Sequence, residues 1–204
     1  MQTERLELRP FTPEEAGELL ELRRSNEKFL EPLEPIRSDG YLTLAGQQTE
    51  IMQSEQGRMR DQAYVYAIRL RGSGQLLGRA ALTGIVRGPF QNANLGYFLD
   101  ENHNGQGYMT EAVLAVLELA FVKHRLHRVQ AGVMPRNAKS RRVLEKAGFR
   151  QEGMAERYLK INGEWEDHML FAITVEEWER RQALSQQAQP SSEHRPSAED
   201  ARTL

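Results

Sequence analysis

Leu6 and Leu8 alternate with polar neighbours, which is the period of a short strand with one buried face. Thr12-Pro13-Glu14-Glu15 then supplies an N-cap, a proline at the first helical position and a capping-box glutamate, so a helix is expected from Pro13 to about Arg24. The two prolines of Phe29-Leu30-Glu31-Pro32-Leu33-Glu34-Pro35 forbid a continuous helix and favour an extended loop. A second helix is expected over Leu42 to Arg60. Ala63 to Leu70 and Gln75 to Val86 are rich in Tyr, Val, Ile and Leu and flank Arg71-Gly72-Ser73-Gly74, a hairpin pattern. Asn94 to Leu99 reads as another strand.

Between Met109 and Lys123 the apolar residues Ala112, Val113, Val116, Leu117, Leu119, Ala120 and Phe121 recur at helical spacing with a wide buried face. Arg128 to Val133 follows as a buried strand, Lys139 to Lys146 as a short helix stopped by Gly148, and the next segment as a hairpin about Asn162-Gly163. Trp165 to Ile173 is the hairpin's second strand, and Thr174 with Glu177 caps a last helix through about Leu184. The order of elements implies one mixed α/β domain, residues 1–184, and fits the strict alternation of a doubly wound dinucleotide fold poorly. Residues 185–204 contain almost no apolar side chains and are expected to be a disordered tail.

Composition narrows the chemistry. Of 204 residues, 39% are hydrophobic and 27% charged, as in an ordinary globular domain, and the net charge of −2 gives no global field for nucleic acid. No apolar run is long enough to span a bilayer and the first residues lack the apolar stretch of a secretory signal, so a cytoplasmic protein with no membrane partner is expected. The absence of cysteine removes disulfides, thiolate metal sites and a cysteine acyl-enzyme. The one close histidine pair, His124 and His127, has no neighbouring carboxylates in the sequence, and no metal is expected.

Two segments carry candidate chemistry. Leu95 to Glu111 runs strand, glycine turn, helix, with Asn104-Gly105-Gln106-Gly107 at the turn. Unpaired N–H groups at such a turn, aided by the helix dipole, hold a phosphate without a lysine, although a tight turn needs glycine for steric reasons alone. The pattern is neither a P-loop nor a dinucleotide fingerprint. In Asn137-Ala138-Lys139-Ser140 the asparagine can cap the following helix and the hydroxyl lies one turn further in.

The two segments, in this order, resemble the cofactor-binding motifs of the GNAT acetyltransferase superfamily, Gln/Arg-x-x-Gly-x-Gly/Ala and Asn-x-x-Ser/Ala followed by Gly-Phe, here Gly148-Phe149. The resemblance extends to the branch of ribosomal-protein-alanine N-acetyltransferases, particularly those acting on the small subunit. It is carried by Phe29 to Pro35, Val86-Arg87-Gly88 with Phe90, Leu95-Gly96-Tyr97, and Tyr158-Leu159-x-Ile161-x-Gly163-x-Trp165-x-Asp167-His168. It implies a mixed, mostly antiparallel, twisted sheet of about seven strands flanked by about four to five helices. It also implies acetyl-CoA as co-substrate, held by Phe98, Leu99, Asn104, Gly105, Gln106, Gly107, Tyr108, Met109, Asn137 and Ser140. Three positions depart from the pattern: Asn102 replaces Gln/Arg, Leu33 replaces a tryptophan, and Leu144 replaces a tyrosine that serves many members as general acid.

With Leu144 unable to give a proton, the resemblance makes Ser140 the group that serves the departing thiolate. A neutral amine would attack the thioester carbonyl, and a backbone N–H near Phe98 and Leu99 would stabilise the tetrahedral oxyanion. An α-amine, with a pKa of about 7.7–8.0, is far more reactive at neutral pH than a lysine near about 10.4, so a site without a strong base suits the former. Glu34 is the candidate base or amine anchor, and Phe29 and Tyr97 are the candidate acceptor contacts. Asp167 and His168, adjacent in a strand, should face opposite ways and are read as structural. The acceptor is expected to be the N-terminal alanine of a ribosomal protein. A small amine acceptor, or a non-catalytic acetyl-CoA-binding or RNA-associated module, stays open.

Overall fold

The computed structural model describes residues 1–187. Seven strands form one sheet in the order β1-β2-β3-β4-β5-β7-β6: β1 Leu6–Arg9, β2 Ala63–Leu70, β3 Leu76–Val86, β4 Asn92–Leu99, β5 Arg128–Val133, β6 Arg150–Ile161 and β7 Glu164–Thr174. Every neighbouring pair is antiparallel except β4 and β5. That pair is parallel over three residues only, Asn92 to Asn94 against Arg128 to Gln130.

Six α-helices are found among the described residues: α1 Ala16–Ser25, α2 Glu27–Leu30, α3 Leu44–Met59, α4 Tyr108–Glu118, α5 Ala138–Ala147 and α6 Val175–Gln187. The alternating strand pattern feeds two cores. On one sheet face Leu19, Leu22, Leu30 and Ile51 of α1 to α3 pack on Ala67, Leu76 and Phe98. On the other, Ala112, Val113, Val116 and Leu117 of α4 and Leu144 of α5 pack on Leu77, Leu82, Val129 and Ile173. The expected α4 continues as a π-helical turn, Leu119–Lys123, so the apolar stripe reaches Phe121. Among the described residues no helix is long and apolar enough to cross a membrane.

Two expectations need adjustment. The proline-bounded loop is helical at its start, a 3-10 turn over Glu31–Leu33 following α2, because Pro32 falls in the first turn where its missing N–H is not needed. The chain becomes extended only at Glu34, with φ −125° and ψ 157°. The last helix runs to Gln187 rather than Leu184, and the rest of the expected tail lies outside the described residues.

The helical face over β1 and β2 is fastened by charge. Arg69, 7% exposed on β2, pairs with Glu15 and Glu18 at the start of α1, and Glu15 also binds Arg9 and accepts from the Thr12 N–H at 2.7 Å. Burial works to raise the Glu15 pKa, but the hydrogen bonds from Arg9 and Thr12 and the charge of Arg69 outweigh it and bring it down to about 2. A carboxylate held below its unfolded value, about 4.3, stabilises the fold above that value and loses the contribution as pH falls towards 2. Glu15→Gln is expected to cost about 1–3 kcal/mol at pH 7 and to lose less stability than the parent between about pH 4.5 and 2, measured by urea titration across that window.

Candidate active site

Past Asn94 and Gln130, whose side chains are joined by a 2.8 Å hydrogen bond, β4 and β5 no longer pair. The register between β3 and β4 continues unbroken from Thr83–Asn94 to Gly78–Leu99, so β4 follows β3 away from β5. A cavity of about 430 Å³ opens in the wedge, walled by Leu95 to Leu99 on one side and Ala131 to Met134 on the other. The Asp100 N–H bonds to Leu77 O on β3, and alternation along the strand then turns the Phe98 N–H to β3 and the Leu99 N–H towards the wedge. Of the two residues expected to offer a backbone donor, Leu99 is the one with a free N–H on this edge. Phe98 instead lends its ring to the guanidinium of Arg23, 3.8 Å away.

The turn after β4 is built from both sides. Asp100 accepts from Asn26 Nδ2 at 3.0 Å and bonds to His103 Nδ1 at 2.6 Å, while Asn26 Oδ1 accepts from the Glu101 N–H at 2.7 Å. Gly105 and Gly107 adopt φ of 80° and 85°, a conformation that excludes most side chains, and Gly107 is the N-cap of α4. No atom lies within 4 Å of where a Gly105 Cβ would stand. Gly105, Gln106 and Gly107 are exposed, outside the cavity wall, with Asn104 and Met109 leading into it. Arg5 braces this corner: it pairs with Glu111 at 2.7 Å, donates to Gln106 O at 3.0 Å and lies 4.5 Å over the Tyr108 ring. Nothing local in the sequence marks Arg5, because its partners lie a hundred residues away.

The N-terminus of α5 meets the same cavity. Asn137 caps it, its Oδ1 accepting from the Ser140 N–H at 3.0 Å, and its amide nitrogen keeps no protein partner among the described residues. Ser140 Oγ is 2.9 Å from the Tyr97 hydroxyl, which also lies 3.2 Å from Ser140 O. Burial outweighs the Ser140 bond and pushes the Tyr97 pKa up to about 12, so this phenol stays protonated at physiological pH. Leu144 is fully buried in the core and points away from this chemistry.

Across the cavity stand Phe29 and Glu34. Arg23, 3% exposed, donates to Glu34 Oε1 at 2.7 Å, and Arg37 reaches Oε2 at 3.2 Å. Burial tends to raise the Glu34 pKa, but the Arg23 and Arg37 charges prevail and hold it below the usual range. Glu34 is therefore ionised at neutral pH, the state of an anchor for a cation and a poor one for taking a proton. Its loop is strapped down by Asn162 N–H to Glu34 O at 2.9 Å and Arg136 to Pro32 O at 3.2 Å.

Asp167 and His168 do face opposite ways: Asp167 accepts from the Arg157 N–H at 2.8 Å, while His168 turns inward and lines the cavity. Away from the site, His124 stacks on Tyr64 and bonds Tyr66, and His127 pairs with Glu176. Among the described residues no three metal-ligating side chains gather.

A wedge lined mainly by apolar side chains, with the Leu99 N–H free on its edge, the Asn137 amide donor and an open glycine turn at a helix N-terminus, suits a long thioester bearing a pyrophosphate. The acetyltransferase (GNAT) domain family matches residues 5–150. The chain is 46% identical over 166 residues to the probable N-acetyltransferase YjcK of Bacillus subtilis, covering 81% of this chain and 92% of that one. It is 31% identical over 178 residues to the [ribosomal protein uS5]-alanine N-acetyltransferase of Escherichia coli, covering 87% and 92%. The structure of Mycobacterium smegmatis RimJ in complex with CoA-disulfide superposes with a TM-score of 0.81 at 29% identity, covering 88% of this chain and 89% of that one.

Gly107→Val tests the turn. A Cβ there would stand 3.4 Å from Arg5 Nη2 in a backbone conformation that valine resists, at a cost of about 1–3 kcal/mol of stability. Calorimetry on the folded variant is expected to show acetyl-CoA affinity lowered by about tenfold or more, about 1.4 kcal/mol. Unchanged affinity would place the phosphates elsewhere.

Proposed function

The chain belongs to the GNAT acetyltransferase family and is an acetyl-CoA-dependent N-acetyltransferase, and we propose that its acceptor is the N-terminal alanine of a ribosomal protein. The observation that carries the choice of a peptide over a small amine is a second cleft. Beyond Leu30 and Glu34, which line both spaces, the cavity is followed by a cleft of about 620 Å³ walled by the segment from Pro35 to Leu42 and by Asn162. A chain end whose ammonium reaches Glu34 has a place there for the residues behind it. The E. coli relative's action on uS5 alanine supports the same acceptor.

Bound acetyl-CoA supplies an activated acyl group and a sulfur leaving group. The chain's own groups divide the remaining work. The glycine turn, the α4 N-terminus and the Asn137 amide bind and orient the co-substrate. The Leu99 N–H, turned to the wedge, stabilises negative charge developing on the carbonyl oxygen. Ionised Glu34 draws the acceptor ammonium to the mouth of the cavity. Ser140 gives a proton to the leaving sulfur, and Tyr97, a neutral donor behind it, frees the serine proton by donating to Oγ.

Two measurements test this reading. Mass spectrometry of a peptide panel with acetyl-CoA is expected to find the acetyl group on the α-amine of an N-terminal alanine peptide, and acetylation of lysine side chains or small amines alone would overturn it. In single turnover, Ser140→Ala is expected to lower the rate by roughly 10²-fold with acetyl-CoA affinity within a few-fold of the parent, and Tyr97→Phe to fall between. A Ser140→Ala rate within threefold of the parent would end its role, leaving a small stability change as its only effect.

A further inference from the structure

The reaction needs a group that removes a proton from the acceptor ammonium, and Glu34, ionised between two arginines, is ill suited to it. The other ionisable side chains on the cavity wall are Tyr97, Arg136, Lys139 and His168. Tyr97 is a donor with its pKa at about 12, Arg136 is paired with Glu166 at 2.5 Å, and Lys139 is a cation 5.4 Å from the Phe29 ring. We propose that His168 Nε2, the inward-facing ring nitrogen of β7, is the base that accepts this proton, an inference that rests on the acetyltransferase reading above.

The ring is held for that task. His168 is 3% exposed, and its Nδ1 lies 2.9 Å from Glu166 O, an oxygen that can only accept, so Nδ1 carries the hydrogen and Nε2 the lone pair. Nε2 makes no hydrogen bond among the described residues and is not sealed off from solvent, and His168 lines the cavity, to which this nitrogen opens. Two neutral neighbours fix the ring plane. Tyr158 of β6 has its ring centre 5.7 Å away, and Gly132 of β5 passes where a Cβ would stand 3.5 Å from His168 Cδ2. Among the described residues no carboxylate pairs with it: Asp167 is spent on Arg157 N–H and Glu166 on Arg136.

The ammonium gives one proton to Nε2, and the freed lone pair forms the N–C bond to the acetyl carbon. The C–S pair leaves with sulfur, which ends as the thiol with a second proton lost by the nitrogen and passed through the site. The imidazolium returns its proton to solvent, leaving one amide hydrogen on the product.

The test uses the full chain. Nitrogen-15 correlation spectra of histidine-labelled protein are expected to show a His168 hydrogen on Nδ1, and to show that ring responding to an N-terminal alanine peptide. His168→Gln and His168→Ala are expected to lower the single-turnover rate by about 10²-fold while calorimetry finds acetyl-CoA affinity within a few-fold of the parent, and free imidazole is expected to restore rate to the alanine variant. The glutamine variant keeps the test open if the alanine one does not fold. An Nε2-bound hydrogen, a near-normal rate in His168→Gln, or a loss that imidazole does not mend would overturn the proposal. Failure of the parent to acetylate any α-amine would instead remove the function beneath it, and the spectra would still report the tautomer.

Discussion

The parting of β4 from β5 after three paired residues is the constraint on which the rest of the structure depends. A continuous ladder would satisfy Leu99 and its neighbours internally and leave a closed sheet. Because β4 instead keeps its register with β3, its other edge is left free, and the gap becomes the cavity. The α4 and α5 N-termini both reach this gap, since each helix follows one of the two parting strands. Position in the fold thus accounts for why the glycine turn, the cavity and the Ser140 hydroxyl share one end of the sheet.

The apolar cores hold the layers, but the site's precision comes from ion pairs that join distant segments. Arg5 and Glu111 lock the segment before β1 to α4, and Arg23 and Glu34 tie the Glu34 loop to α1, while a hydrogen bond from Arg136 to Pro32 O ties that loop to the turn before α5. The Arg23–Glu34 contact is the most consequential of these. It is nearly buried on the arginine side, it stacks on Phe98, and it decides that Glu34 is a fixed charge. In the proposed mechanism proton transfer then falls to Tyr97, Ser140 and His168, which line the same cavity.

Much of this was legible in the sequence where the signal is local. The α4 stripe from Ala112 to Phe121, the Asn137 cap, the Gly148 stop and the Asn162-Gly163 hairpin all follow from periodicity and backbone chemistry. The helical turn at Glu31–Leu33 was not, because proline reads as a breaker unless one knows that it stands in a first turn. Long-range partners were hidden as well. No spacing rule connects Arg5 to Gln106, Arg23 to Glu34, or Tyr97 to Ser140, and these bonds decide what Glu34 and Ser140 can do. His168 shows the same limit: strand alternation correctly sets it opposite Asp167, but only the parted strands reveal that its side of the sheet is an open cavity.

Amide hydrogen exchange with and without acetyl-CoA tests most directly the claim that the gap between β4 and β5 receives the co-substrate. Protection is expected at Leu99, across Gly105 to Gly107 and at the first turn of α5, with the tip of the β6–β7 hairpin at Asn162 and Gly163 unchanged. Protection that spares β4 and the glycine turn, or that gathers on another face of the sheet, would contradict it.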